Sequence, residues 1–168
     1  TRDLGLNLFS GMRFKVFSEY YQQASQWNKQ MLVLGVDVRN YTKIHRTLIW
    51  ANRMAGGTSI GNQRLMYYMG GVDSWLKPTF NNELAPGKLN NGNNYLFQAL
   101  ATNLRGFDQN VRNGTSFIVF NSEIRWPIIK YLVHRPLTSS MLNNFQLVFF
   151  GDLGTAWTGI SPFSKGNS

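Results

Sequence analysis

The sequence predicts an all-β chain, part of an antiparallel transmembrane β-barrel. Three observations predict it. Apolar and polar side chains alternate over long stretches, the alternating stretches outlast an ordinary globular strand, and no run approaches the roughly 18 apolar residues of a membrane helix. A mean hydropathy of -0.25 agrees with the third point. Any crossing of a bilayer would be made by strands.

The first strand is predicted over residues 4–20, where Leu4, Leu6, Leu8, Met12, Phe14 and Val16 oppose Asn7, Arg13, Lys15 and Glu19. Residues 30–41 repeat the pattern, with Leu32, Leu34, Val36 and Val38 on one face and Gly35, Asp37, Arg39 and Tyr41 on the other. A third strand is predicted over 46–56: Leu48, Trp50 and Met54 oppose Ala51 and Arg53, and Asn52 interrupts the apolar side. After Gly56-Gly57 the alternation breaks, through Asn81-Asn82, Pro86-Gly87 and Asn90-Asn91-Gly92, so residues 57–114 read as one long loop. Structureless loops of that length are uncommon unless they are functional. Within it, residues 95–104 suit a short helix. Alternation resumes over 115–126, where Ile118, Phe120, Ile124 and Trp126 oppose Asn121, Glu123 and Arg125 before Pro127 ends the strand. A fifth strand over 144–157 sets Phe145, Leu147, Phe149, Leu153 and Trp157 against Gln146, Asp152 and Gly154.

All five exceed the usual strand of about 5 to 6 residues and reach the roughly 9 to 11 that cross a tilted bilayer path. Aromatic residues near the strand ends, Tyr20, Trp126 and Trp157, match an interfacial girdle. The same alternation with its greasy face turned inward describes a soluble sandwich or lipocalin-like barrel, and pattern alone leaves that alternative open.

The balance of 17 Lys and Arg against 8 Asp and Glu gives a net charge of +9, which raises nucleic acid as a partner. The basic residues are scattered, however. Arg13, Lys15, Arg39, Arg53 and Arg125 each sit inside an alternating pattern, which favours a basic interior or rim over a nucleic-acid-binding stripe, and no nucleic acid is expected. There is no Cys, and His45 and His134 lack clustered acids, so neither a metal site nor a cofactor is expected. The opening Thr1-Arg2-Asp3-Leu4 has no signal segment, which places any targeting sequence upstream. Gly57-Thr58-Ser59-Ile60-Gly61 matches the G-x-S-x-G nucleophile elbow, but that chemistry needs a strand–turn–helix and triad partners. Asn62-Gln63-Arg64 carries no helical periodicity, and no catalytic residue is expected. The same glycines lack the Lys-Ser/Thr ending of a phosphate loop.

Four further segments occur in order: Tyr67-Tyr68-Met69-Gly70-Gly71, Leu104-Arg105-Gly106-Phe107, Glu123-Ile124-Arg125-Trp126-Pro127, and Phe150-Gly151-Asp152-Leu153-Gly154-Thr155-Ala156-Trp157. Together, over roughly residues 46–158, they resemble the C-terminal barrel of the bacterial surface-antigen and outer-membrane protein assembly superfamily, which includes BamA-like insertases, TamA-like factors and two-partner secretion transporters. The resemblance implies a sixteen-stranded barrel in a Gram-negative outer membrane, with these five strands as the ninth to thirteenth and further strands before Thr1 and after Ser168. It implies non-catalytic insertion or translocation of polypeptides. The partners would be outer-membrane lipids, lipopolysaccharide, and client polypeptides or accessory membrane proteins.

In that family the loop bearing Arg-Gly-Phe folds into the lumen, where its Arg meets acids on two neighbouring strands. Carried over, Arg105, Gly106 and Phe107 with Glu123 and Asp152 form a lumen latch, and Gly70, Gly71, Gly154 and Trp157 belong to the supporting motifs. Parity independently points Glu123 and Asp152 to the polar face of their strands. One departure stands out: residues 72–103 intervene where the family runs almost directly from Gly-Gly to Arg-Gly-Phe. The insertion fits a partner-binding surface feature, or a longer-loop member that follows a soluble repeat domain. Two other functions stay open at this point, a structural or lipid-interacting barrel that anchors or exports an attached soluble domain, and a soluble basic binding module.

Overall fold

Alternating side chains commit a strand to two unlike faces, and strands with matching patterns pair so that like faces align. In the computed structural model, residues 10–25, 29–71, 95–133, 139, 141–142 and 145–159 are described, and their architecture is all-β with one short helix. Five long strands form one antiparallel sheet in the order β1 (Gly11–Gln22), β2 (Gln30–His45), β3 (Leu48–Gly61), β7 (Ser116–Trp126) and β8 (Leu147–Trp157). The five predicted strands are these five neighbours, with altered ends; residues 4–9 of the first lie outside the described residues. Pro127 closes β7 as expected, because it has no N–H for the ladder, and α1 (Ile128–Leu132) follows it.

The predicted loop over 57–114 requires correction. β3 runs on to Gly61, and β4 (Arg64–Gly70), β5 (Tyr95–Asn103) and β6 (Arg112–Gly114) form a second sheet in the order β5-β4-β6. The helix expected over 95–104 is strand β5, paired in parallel with β4. Its Leu- and Ala-rich composition favours helix, but the open edge of β4 supplies backbone partners. The local environment also alternates: Leu100 is exposed, while Ala99 and Ala101 pack against the core.

The two faces of the large sheet differ. One carries Phe14, Val38, Met54, Phe120 and Leu153 in a single cross-strand row; a row with Val16, Val36 and Ile118 flanks it on one side, and on the other a row with Asn40, Asn52 and Ser122 separates it from Trp50, Ile124 and Phe149. Nothing covers these side chains among the described residues: Phe14 is 63 %, Phe149 58 % and Leu153 72 % exposed. The opposite face receives the small sheet. Tyr67 and Met69 from β4, with Leu104, pack on Phe117, Val119 and Ala156, and the Tyr67 and Phe117 rings lie 4.7 Å apart. Gly154 makes room for Met69, whose terminal methyl occupies the place a Cβ would take.

Met69 is fully buried at the junction of the two sheets. Met69→Ala is expected to cost about 2 to 5 kcal/mol and loosen β4 from the large sheet, which chemical denaturation with limited proteolysis will check.

Candidate functional site

Where the small sheet ends, backbone geometry sets the site. Gly71 N donates to Phe107 O at 3.0 Å, Leu104 N to Gly70 O at 3.0 Å, and Val111 N to Met69 O at 2.9 Å. The Gly70-Gly71 and Arg105-Gly106-Phe107 segments therefore lie against each other, main chain to main chain. A Cβ on Gly71 would stand 2.5 Å from Phe107 O, so no larger residue fits without displacing the turn. Gly106 turns the chain at φ +83, a left-handed conformation in which a side chain is strained.

This turn aims Arg105 at the polar face of β7 and β8. Its main-chain N–H donates to Asp152 Oδ2 at 2.9 Å, Nε to the same oxygen at 2.8 Å, and Nη2 to Asp152 Oδ1 at 2.8 Å. Nη1 donates to Glu123 Oε1 at 2.5 Å. The Phe150 ring lies 4.1 Å from the guanidinium carbon. The Asp152 side chain is only 1 % exposed, and those of Arg105 and Glu123 18 % each. Hydrogen bonding to Asp152 raises the Arg105 guanidinium above its ordinary value, burial opposes this, and Glu123 adds to the rise. One cation thus bridges carboxylates on two adjacent strands, with the fork geometry that only Arg provides.

The structure brings together Arg105, Glu123 and Asp152 by side chain, and Gly70, Gly71 and Gly106 by backbone. Phe107 contributes its carbonyl, while its ring is exposed. Gly154 acts through Met69, and the Trp157 main chain lies against Gly114 rather than against Arg105.

A second ion cluster went unread in the sequence. Asp37 accepts from Arg39 at 3.0 and 3.1 Å and from Arg53 at 3.1 and 2.8 Å, and Arg53 Nη1 reaches Thr102 of β5 at 2.7 Å. Arg125 donates twice to Glu123, at 2.9 and 2.8 Å. Parity placed Asp37, Arg39 and Arg53 on one face. Their meeting depended on the β2–β3 register, in which Arg39 stands directly opposite Arg53.

The G-x-S-x-G match falls inside β3, and its Ser59 is buried, donating to Leu65 O at 2.9 Å and accepting from Leu65 N at 3.0 Å. The strand–turn–helix of a nucleophile elbow is absent there. His45 contacts Tyr131 of α1 at 3.0 Å; His134 lies outside the described residues. Among the described residues no three His, Cys, Asp or Glu side chains group as metal ligands. Comparison with family models, with curated proteins and with solved structures finds no match for this chain.

Arg105→Ala would leave Asp152 buried without its cation, and breaking such a pair costs about 3 to 5 kcal/mol against roughly 0 to 1 for an exposed one. The variant is expected to gain protease cleavage around residues 104–111, whereas Arg64→Ala, whose Nε only reaches Gly61 O at 3.4 Å, leaves that pattern unchanged.

Proposed function

We propose that this chain is part of a transmembrane β-barrel of the bacterial outer membrane that inserts or translocates polypeptides without bond-making chemistry. The observation that carries the membrane reading is the contrast between the two faces of the large sheet. Among the described residues, an uncovered and mainly apolar face spans five strands, far more than the scattered apolar residues of a water-exposed surface. Hydrocarbon is the solvent it suits.

The other face supports the same orientation. Arg39, Arg53, Arg105 and Arg125 are ion-paired there, and a basic side chain turned to the bilayer midplane would cost about 2 to 4 kcal/mol. Tyr20 and Trp157 lie toward one end of the apolar face, Trp50 and Trp126 toward the other, as two interfacial belts would require. Unpaired strand edges are costly in hydrocarbon, so the sheet fits a closed barrel completed by strands beyond β1 and β8. The function rests on the resemblance of the four ordered segments to insertases and translocators. The Arg105 bridge supports it by bracing a loop against two staves of the wall.

Nitroxide labels at positions 118 and 120 of the full chain in bilayers are expected to be accessible to oxygen and shielded from polar nickel reagents. A label at 119 should be shielded from both. Strong nickel access at 118 and 120 would sink the membrane reading. For the activity, the full chain in liposomes is expected to speed membrane insertion or passage of an unfolded outer-membrane polypeptide, with Arg105→Ala clearly slower. Equal rates in protein-free liposomes would refute the translocation reading while leaving the barrel intact.

A further inference from the structure

At one end of the large sheet, exposed apolar side chains continue past Trp50 and Trp126. The β2–β3 hairpin turns there through Arg46 at φ +49, and α1 follows Pro127 at the end of β7. Tyr131 of α1 ties the two together. Its hydroxyl lies 3.0 Å from His45 Nδ1, its ring meets the Trp126 ring edge-on at 5.8 Å, and the Arg46 guanidinium carbon stands 5.6 Å from its centroid. Main-chain bonds from Tyr131 N to Pro127 O and from Val133 N to Ile129 O, both 2.9 Å, hold the single helical turn.

The apolar residues around Tyr131 face outward. Leu132 is 63 % exposed, and Ile44 on the hairpin, Val133 after α1, and Met141, Leu142 and Phe145 in the β7–β8 connection are exposed as well. Water is a poor solvent for so many apolar side chains on one hairpin tip and one connection. Charge decides which apolar environment suits them. Residues 38–72 and 124–151 contain no Asp or Glu, so Arg46 and Lys130, both exposed, stand on stretches whose formal charges are all positive. The flanking carboxylates, Asp37 and Glu123, are each held by two arginines on the polar face. An anionic headgroup layer offers phosphates to the cations and an acyl boundary to the apolar residues at once.

We propose that α1, the β2–β3 hairpin tip and Met141 and Leu142 of the β7–β8 connection form an interfacial platform that seats on a bilayer surface of anionic phospholipid. Arg46 and Lys130 meet the phosphates, and Ile44, Leu132 and Val133 enter the acyl boundary. The platform rests on the membrane reading of the large sheet and adds the lipid class that this end selects.

The test places a nitroxide at position 133 of the full chain, beside the labels at 118 and 120, in bilayers of phosphatidylcholine with or without phosphatidylglycerol. With phosphatidylglycerol present, the label at 133 is expected to be accessible to oxygen and shielded from a neutral nickel chelate. In phosphatidylcholine alone, or at high salt, nickel access should return. Each cation lost should weaken the seating equilibrium about fivefold, so Arg46→Gln and Lys130→Gln raise nickel access at 133. Arg46→Lys, which keeps the charge, and Arg112→Gln on β6 should leave it low, and unchanged readings at 118 and 120 would show that no variant has misfolded. Nickel access at 133 with 118 and 120 still shielded would overturn the platform and leave the membrane reading standing, whereas nickel access at all three would sink both. Equal shielding of 133 in the two bilayers would overturn the choice of anionic lipid. Shielding of 133 from oxygen and nickel alike would mean that protein covers this end, and would overturn a lipid occupant.

Discussion

A buried guanidinium cannot lose its proton to escape the cost of burial, so it must be given carboxylates. Much of the site's arrangement follows from meeting that demand at Arg105. Asp152 and Glu123 lie on adjacent strands with a one-step diagonal offset, since Asp152 is opposite Asn121 and Glu123 opposite Phe150. Reaching both requires the Arg105 turn to sit close over β7 and β8. That closeness comes from Gly70-Gly71, where the absence of a side chain lets two backbones touch, and from Gly154, which lets Met69 seat β4 on the sheet.

The second sheet is the frame that holds this turn. β4 joins β5 and β6 and buries Tyr67 and Met69 against Phe117, Val119 and Ala156. Thr102 of β5 then meets Arg53 of β3. Ion pairs and apolar packing thus alternate along the same face. Because the polar side chains of that face are clamped by Arg105 and Arg53, the apolar residues of β1–β3, β7 and β8 are left on the other side, where none of the described residues covers them. The exposed apolar surface and the covered charged surface are two consequences of one register.

The alternating strands were legible because side-chain period is a local property. Residues 115–126 and 144–157 read correctly as neighbours whose acids share a face, and the ordered segments pointed to Arg105 as the residue that meets them. The small sheet was not legible. Its strands lack uniform alternation, since both faces of β4 are largely covered, and β5 is rich in Leu and Ala, which locally favour helix. Only the presence of β4's open edge turns those residues into a strand.

What the sequence alone determined is therefore the set of long strands, the apolar and polar faces of each, and the position of Glu123 and Asp152 on the polar one, all fixed by the two-residue period of an extended chain. Tertiary structure decided the rest. Register set Arg39 opposite Arg53 and gave Asp37 two cations, while backbone contact at Gly71 delivered Arg105 to Asp152. Apart from Asp37 and Arg39, two positions apart on one strand, those encounters join residues 14 to 47 positions apart, and no local pattern encodes a distance that only folding closes.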